Sequence, residues 1–297
     1  ISKKDFYHKL MANLKDIRNR IKSVKSIQQV TKAMKMVAAA KMRRAQENME
    51  QSRPYTARLS NMLDNLINDI DRNLLPELEM RKQVNKKLFV VITGDRGMAG
   101  AFNTNVTKIA HKAIDDFGKD NSILICIGKK GYSYFKNRNY NILEYYMDFW
   151  SELNFQHAID INSNIIKQFL NESVDQVQII YNEFVNVGKQ EVYNKTFLPL
   201  TYNSSKQDSS NSSDRIFEPS KEAVVKTLVP KFLNTQVWQY LLESYASEQA
   251  ARMLAMENAT SNAQDMIKDL TLQFNKARQS AITTEMLEIV SGAEALS

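Results

Sequence analysis

The first apolar series of the chain runs Leu10, Leu14, Ile17, Ile21, Val24, Ile27, Val30, Met34 and Val37. Its steps of three and four place one stripe along a helix, the pattern of a coiled-coil seam. The successive steps of three from Ile21 to Val30 break the strict heptad and predict a local overwinding of the supercoil. A second series stands near the other end: Val237, Leu241 and Tyr245, then Met253 and Met256, later Met266, Leu270, Phe274 and Ala277. A helix of about sixty residues extends roughly 90 Å and cannot bury one face within its own globule. It needs a partner along its length, and the other terminal helix is the obvious one.

The pattern changes in the middle. Lys87–Ile92 is a short apolar run ended by a glycine turn, and it predicts a buried strand. Helical spacing over Asn103–Phe117 is followed by a second apolar run, Ile123–Ile127, and a turn at Gly128–Gly131. A helix over Glu152–Leu170 precedes a third strand at Gln176–Tyr181, and Glu191–Tyr202 alternates like a last one. Strands alternating with helices imply a small α/β layer domain with a mostly parallel sheet.

Glycine and proline sharpen these boundaries. Residues 1–53 contain neither, nor does the stretch from Lys231 to Ser291, while Gly94, Gly97, Gly100, Gly118, Gly128 and Gly131 crowd the middle. The expected organisation is a helix over 1–60, an α/β domain over 61–215, and a last helix over 216–297. A Ser- and Asn-rich run at 203–213 reads as a flexible polar loop joining the domain to the last helix.

Charge is unevenly placed. Residues 1–53 carry 14 Lys and Arg against 4 Asp and Glu, so the net +7 of the whole chain belongs to its first helix. Such a field suits nucleic acid, an anionic membrane or an acidic protein surface. Hydrophobic content of 43% leaves enough for a buried core, but no apolar run is long enough to predict a membrane-spanning helix. Cys126, the single cysteine, excludes an internal disulfide and sits within an apolar run as a buried thiol.

Candidate chemistry is sparse. Gly94-Asp-Arg-Gly-Met-Ala-Gly100 follows the first strand, and such turns present backbone N–H groups to phosphates. Its spacing is G-x-x-G-x-x-G, not that of the dinucleotide fingerprint, and no Gly-Lys-Ser/Thr follows as a P-loop requires. A tight structural turn is the better reading. His8, His111 and His157 have no metal-ligand spacing, and no nucleophile–base set can be named. The chain is expected to be non-catalytic, without cofactor or metal. The strongest compositional signal is Thr31–Arg44, where cations alternate with alanine and methionine. Two readings fit it: a solvated basic face, or a surface that meets several environments in turn.

Several blocks then carry a family likeness. They are Asn13–Ile21, Ile27–Met42 with its Lys-Ala-Met-Lys string, Gly94-Asp-Arg-Gly97, Ala246–Met253, Asn275–Glu285 and Glu288–Ala293. Together the chain resembles the γ subunit of F-type ATP synthases over almost its whole length. Across roughly 130–215 the likeness is in element order more than in residues. The resemblance implies a long antiparallel coiled coil of the N- and C-terminal helices plus a small Rossmann-like α/β domain. It implies a rotor shaft, turned by a proton-driven ring of c subunits, that couples rotation to ATP synthesis in catalytic β subunits. The implied partners are the ring of three α and three β subunits, the c-ring and the small central-stalk subunits, delta or epsilon, with no nucleic acid. Contact with the membrane is implied only through the complex.

By motif match the resemblance places Arg278 and Gln279 against a β-subunit loop. It places Met34 near acidic β loops, with Lys32, Lys35 and Lys41 supplying complementary charge. Residues 1–10 and the isoleucine at position 1 suggest a processed organellar form, on the matrix side of the mitochondrial inner membrane. The cytoplasmic side of a bacterial plasma membrane is the alternative. The chloroplast form is disfavoured by the lack of a cysteine pair. The rival class is a basic coiled-coil protein that binds nucleic acid, against which no aromatics interleave with the cations of the first helix.

Overall fold

The computed structural model describes residues 3–67, 77, 81, 83–200 and 220–294. The polar loop expected at 203–213 lies outside them. The chain divides into two compact units, one of residues 1–37 with 253–297 and one of residues 38–252.

The larger unit is a three-layer α/β domain. Its strands are β1 (Lys87–Ile92), β2 (Ser122–Ile127), β3 (Ile142–Tyr146), β4 (Gln176–Asn186) and β5 (Lys189–Leu198), in the order β3-β2-β1-β4-β5. The first four are parallel, and β5 returns antiparallel to β4. Between them lie α2 (Phe102–Phe117), α3 (Lys129–Lys136) and α4 (Phe155–Leu170). Strand β1 is central and covered on both faces, which is why its sequence is apolar without alternation. Leu88, Val90 and Ile92 face a cluster made by α4 (Ala158, Ile161, Ile165, Phe169), the end of α1 (Leu59, Leu63, Leu66) and α5 (Val225, Val229, Leu233, Val237, Leu241). Phe89 and Val91 face the other way, toward Val106, Ala110 and Ile114 of α2, Phe135 of α3, and Cys126. Burial holds the Cys126 thiol up at about 12, so it is an inert core side chain.

The terminal helices are α1 (Lys3–Ile67) and α5 (Lys221–Glu294), each running through a proline, Pro54 and Pro230. Proline costs an isolated helix about 3 kcal/mol. Here the turns beyond Pro54 and before Pro230 bury Leu59, Leu63, Val225 and Val229 in the sheet's core, which offsets that cost. The same packing revises one expectation. Val237 and Leu241 belong to that core, and Tyr245 is half-buried and stacks on Trp150 at 5.8 Å. They are not part of the coiled-coil seam.

In the smaller unit α1 and α5 pair along their lengths. Arg18 lies over the Phe274 ring, Val24 packs with Ala263 and Leu270, and the Thr31 and Thr260 hydroxyls meet at 2.8 Å. Lys35 then reaches Glu257 at 2.6 Å. Ascending numbers on one helix meet descending numbers on the other, so the pair is antiparallel.

The seam itself differs from the one expected. On α1 the covered positions are Leu14, Ile17, Ile21, Val24, Gln28, Thr31 and Lys35, and on α5 Met253, Met256, Thr260, Ala263, Ile267, Leu270, Phe274 and Ala277. Both alternate steps of three and four without a break, so the run of threes from Ile21 to Val30 is not the seam. Ile27 and Val30 are each 55% exposed, Val37 is 56% and Met266 46%. The reason is geometric. A run of threes drifts around a helix, whereas an average step of 3.5 keeps facing the partner. The seam therefore continues through polar residues, and the apolar ones pass to the outside. Leu10 lies outside the residues whose side chains are described.

Candidate functional site

Two arrangements are candidates, the outer face of the helix pair and the glycine turn at the C-terminal end of the central strand.

On the helix pair, Ile27, Val30, Met36 and Val37 are exposed, with Met36 at 61%. Lys32 is exposed among them, and Met34 is half-buried at the margin. Lys35 is half-exposed and held by Glu257. Near the other end of this unit Arg278 and Gln279 are exposed, followed by Ile282, Met286, Leu287, Ile289 and Val290 at 46–67% exposure. Arg278 lies 21 residues along α5 from the partner of Lys35, roughly 30 Å on a helix, so the Met34 and Arg278 regions are separate patches. Lys41 belongs to the larger unit and lines a small cavity there with Asp95, Arg96, Tyr245 and Arg252. The exposed apolar residues were not singled out as partner-facing from sequence. Their signal was present, since they are the apolar positions that fall off the heptad.

Exposed large apolar residues grouped at two places on one helix pair mark candidate contact surfaces. Interleaved with cations, they are suited to contact rather than to chemistry. Among the described residues, no group of three or more His, Cys, Asp or Glu is placed to hold a metal ion, and no helix is long and apolar enough to cross a membrane.

The glycine turn sits where the parallel strands end, the usual ligand crevice of such sheets. Here the chain fills it with its own carboxylates. Asp95 accepts the backbone N–H of Lys129 through Oδ1 at 2.8 Å and that of Asp148 through Oδ2 at 2.9 Å. Gly94 donates to Asn103 Oδ1 at 2.9 Å, and Lys130 donates to the Gly94 carbonyl at 3.1 Å. The Glu248 carboxylate of α5 lies against Gly94, so that a Cβ at that position would be 2.7 Å from Oε1. Burial pushes the Glu248 carboxyl upward, and Arg252 opposes the shift through its charge and a 2.7 Å hydrogen bond. The backbone N–H groups of Gly94, Lys129 and Asp148 are satisfied by side chains of this chain, as a structural turn requires.

The comparisons with known proteins then decide the family. A family model described as ATP synthase matches residues 13–296. A relative from Prosthecochloris aestuarii, named ATP synthase gamma chain, is 50% identical over 96% of this chain and 99% of its own. The chain belongs to the ATP synthase gamma chain family. A gamma chain from Chlorobium phaeobacteroides is 48% identical over the same shares. Among solved structures, the Tetrahymena thermophila mitochondrial ATP synthase central stalk and c-ring matches with TM-score 0.61 and 26% identity, over 77% of this chain and 99% of that one. A chain of the Euglena gracilis mitochondrial enzyme, from its OSCP/F1/c-ring assembly, has the same fold, with TM-score 0.66 at 22% identity over 96% and 95%.

These findings correct one expectation. The gamma chains at 48–50% identity are bacterial, whereas the mitochondrial proteins match at less than 30%. The mitochondrial placement is therefore unsupported, and the bacterial alternative is the one the relatives favour. Nothing in the comparisons supports nucleic-acid binding.

Proposed function

We propose that this chain is the non-catalytic rotor shaft of a bacterial ATP synthase, working at the cytoplasmic side of the plasma membrane. The terminal helices, expected over 1–60 and 216–297, turn within a ring of α and β subunits. The α/β domain, expected over 61–215, meets the c-ring and the small stalk subunits. The observation that carries this reading is the apolar surface on the outside of the helix pair. Ile27, Val30 and Val37 are exposed while Gln28, Thr31 and Lys35 are turned inward. A self-sufficient coiled coil would have the reverse.

Coupling then follows from differential contact. A shaft whose sides differ in charge and apolarity stabilises each surrounding catalytic subunit differently at each angle. Lys32, Lys35 and Lys41 supply charge toward acidic loops of β, Lys35 by exchanging its Glu257 partner for them; Met34 lies at that contact, and Arg278 with Gln279 hydrogen-bond a second β loop. Exposed ion pairs contribute about 0–1 kcal/mol each, which suits contacts that break at every step.

Two substitutions in the assembled, membrane-reconstituted complex test these placements. Met34→Lys is expected to retain ATP hydrolysis and lower ATP-driven proton pumping about fivefold or more, the low end of a typical coupling energy. Unchanged pumping per ATP would remove Met34 from the coupling contact. Arg278→Ala is expected to slow hydrolysis by the complex, and a normal rate would make Arg278 an ordinary surface cation.

A further inference from the structure

Strand β3 is an open edge of the sheet. Among the described residues it pairs with β2 alone. The carbonyls of Asn141 and Tyr146 face that partner, accepting the N–H of Leu124 at 2.9 Å and of Gly128 at 2.8 Å. Backbone groups alternate sides along a strand, so Tyr145 turns its N–H and C=O away from β2. Its N–H meets the carboxylate of its own neighbour Glu144 at 3.3 Å, a long bond. Open edges are often blunted by lysine or proline on the strand itself. Ile142-Leu-Glu-Tyr-Tyr146 has neither. The register shift opposite Leu124 and Ile125 leaves only the end of β3 regular, so anything that pairs there must also draw on side chains.

Those side chains stand beside it. Tyr145 is 46% exposed, and its ring lies against Tyr132 of α3 with centroids 4.4 Å apart. Lys136 donates to the Tyr132 hydroxyl at 3.0 Å. Lys129, Tyr132, Ser133 and Lys136 follow the i, i+3, i+4, i+7 spacing that marks one face of a helix. From residue 121 to residue 143 there are four Lys and Arg and no Asp or Glu. The cations are thus placed on the helix that flanks the edge and are absent from the edge.

We propose that this edge docks a short, extended, acidic segment of another polypeptide, added beside β3 as a sixth strand. The surface lies wholly within the α/β unit, and the proposal does not depend on the rotor reading. An incoming carbonyl replaces Glu144 on the Tyr145 N–H, and an incoming N–H takes the Tyr145 carbonyl. An apolar residue of the segment covers the Tyr132–Tyr145 pair. Acidic residues two positions before and after it share its face and reach the lysines of α3. A phosphate or a lipid headgroup would use the cations and leave the strand edge unmet, which is why a peptide fits better.

The test measures binding of a fluorescent peptide, acetyl-Thr-Asp-Thr-Val-Thr-Asp-Thr-amide, to the assembled complex by anisotropy. Two further peptides are N-methylated at the odd or the even positions, so each loses one backbone edge. One pattern is expected to weaken binding about tenfold, as for lost hydrogen bonds, and the other to bind like the parent peptide. Lys136→Glu in this chain is expected to weaken binding about tenfold through like-charge contact. Lys226→Glu, the same charge change at an exposed position of α5, is expected to leave it unchanged. ATP hydrolysis by both variant complexes, equal to the parent's, confirms assembly. Absence of binding would overturn the proposal. So would equal binding by both methylated peptides, which means charge alone, or indifference to Lys136→Glu, which places the peptide elsewhere. Lys136-dependent binding of phosphatidylglycerol vesicles without binding of the peptide would assign the patch to a membrane instead.

Discussion

Gly128→Ala is expected to yield little soluble chain and no assembled complex, the largest single-residue effect in the α/β unit. Gly128 follows β2 with φ 93° and ψ 141°, a conformation that side chains rarely adopt. A Cβ there would stand 2.0 Å from the backbone carbonyl oxygen of Thr93, at the end of β1. That carbonyl cannot retreat cheaply. Thr93 donates its N–H to the Ile127 carbonyl at 2.7 Å, and Gly128 donates its own to Tyr146 at 2.8 Å. Relief requires β1, β2 and β3 to part. The cost exceeds about 4 kcal/mol, a large share of the roughly 5–15 kcal/mol that stabilises a domain. Gly97→Ala is the control. Its nearest neighbour would be the flexible end of Lys130 at 3.9 Å, and normal yield is expected. A Gly128→Ala chain with the parent's yield and melting temperature would mean the strand ends can rearrange around an added methyl group.

Glu243→Gln is expected to act in the opposite direction and stabilise the protein at neutral pH. Glu243 is 7% exposed on α5, and its Oε2 is buried with no hydrogen-bond partner, while Oε1 accepts from Gln239 at 2.8 Å. Desolvation raises its pKa first, opposed by the Gln239 hydrogen bond. The nearby Glu183 charge adds to the rise, and Lys195 and Arg53 oppose it. A carboxyl whose folded value is raised contributes stability below its ordinary 4.5, and that contribution is lost as pH rises through the folded value. At neutral pH the group is therefore a liability. The amide keeps the Gln239 contact without a buried charge, so a gain of about 1–3 kcal/mol is expected above that range. The gain should vanish toward acid. Denaturant midpoints of the purified variant and parent, measured from pH 4 to pH 8, decide it. A gain that does not depend on pH would show that the charge of Glu243 is compensated in the folded protein.

How much of this was legible beforehand depended on how each segment meets its surroundings. Strands β1 and β2 were readable because they are covered on both faces and appear as unbroken apolar runs bounded by glycine. Strand β3 was not. It is an edge strand with a register shift opposite Leu124 and Ile125, and Leu143, Glu144 and Tyr145 are exposed, so neither alternation nor an apolar run marks it. Helix α3 was read as a turn because Gly128 opens it and Gly131 lies within it. Both glycines answer to Thr93, a residue 35 or more positions away, whose side chain would lie 2.8 Å from a Cβ at Gly131. Of the six residues proposed to meet partners, family motifs supplied all. None was derivable from periodicity, because a residue that faces another subunit breaks no rule of its own chain.

By itself, then, the sequence determined that two long terminal helices need each other, that a glycine-punctuated parallel sheet lies between them, and that the first helix carries the positive charge. Those are properties of spacing, composition and local conformation, which a linear pattern records. Only the tertiary structure decided which residues form the seam. The average step of 3.5 must be kept toward a partner helix whether or not the next residue on that line is apolar. Gln28, Thr31 and Lys35 were thereby turned inward, and Ile27, Val30 and Val37 outward. The tertiary structure also decided the role of Gly94-Asp-Arg-Gly97. The Gly94 N–H meets Asn103, and the Gly94, Arg96 and Gly97 carbonyls meet Lys130, Asn103 and Arg252, all groups that only the fold brings to the turn.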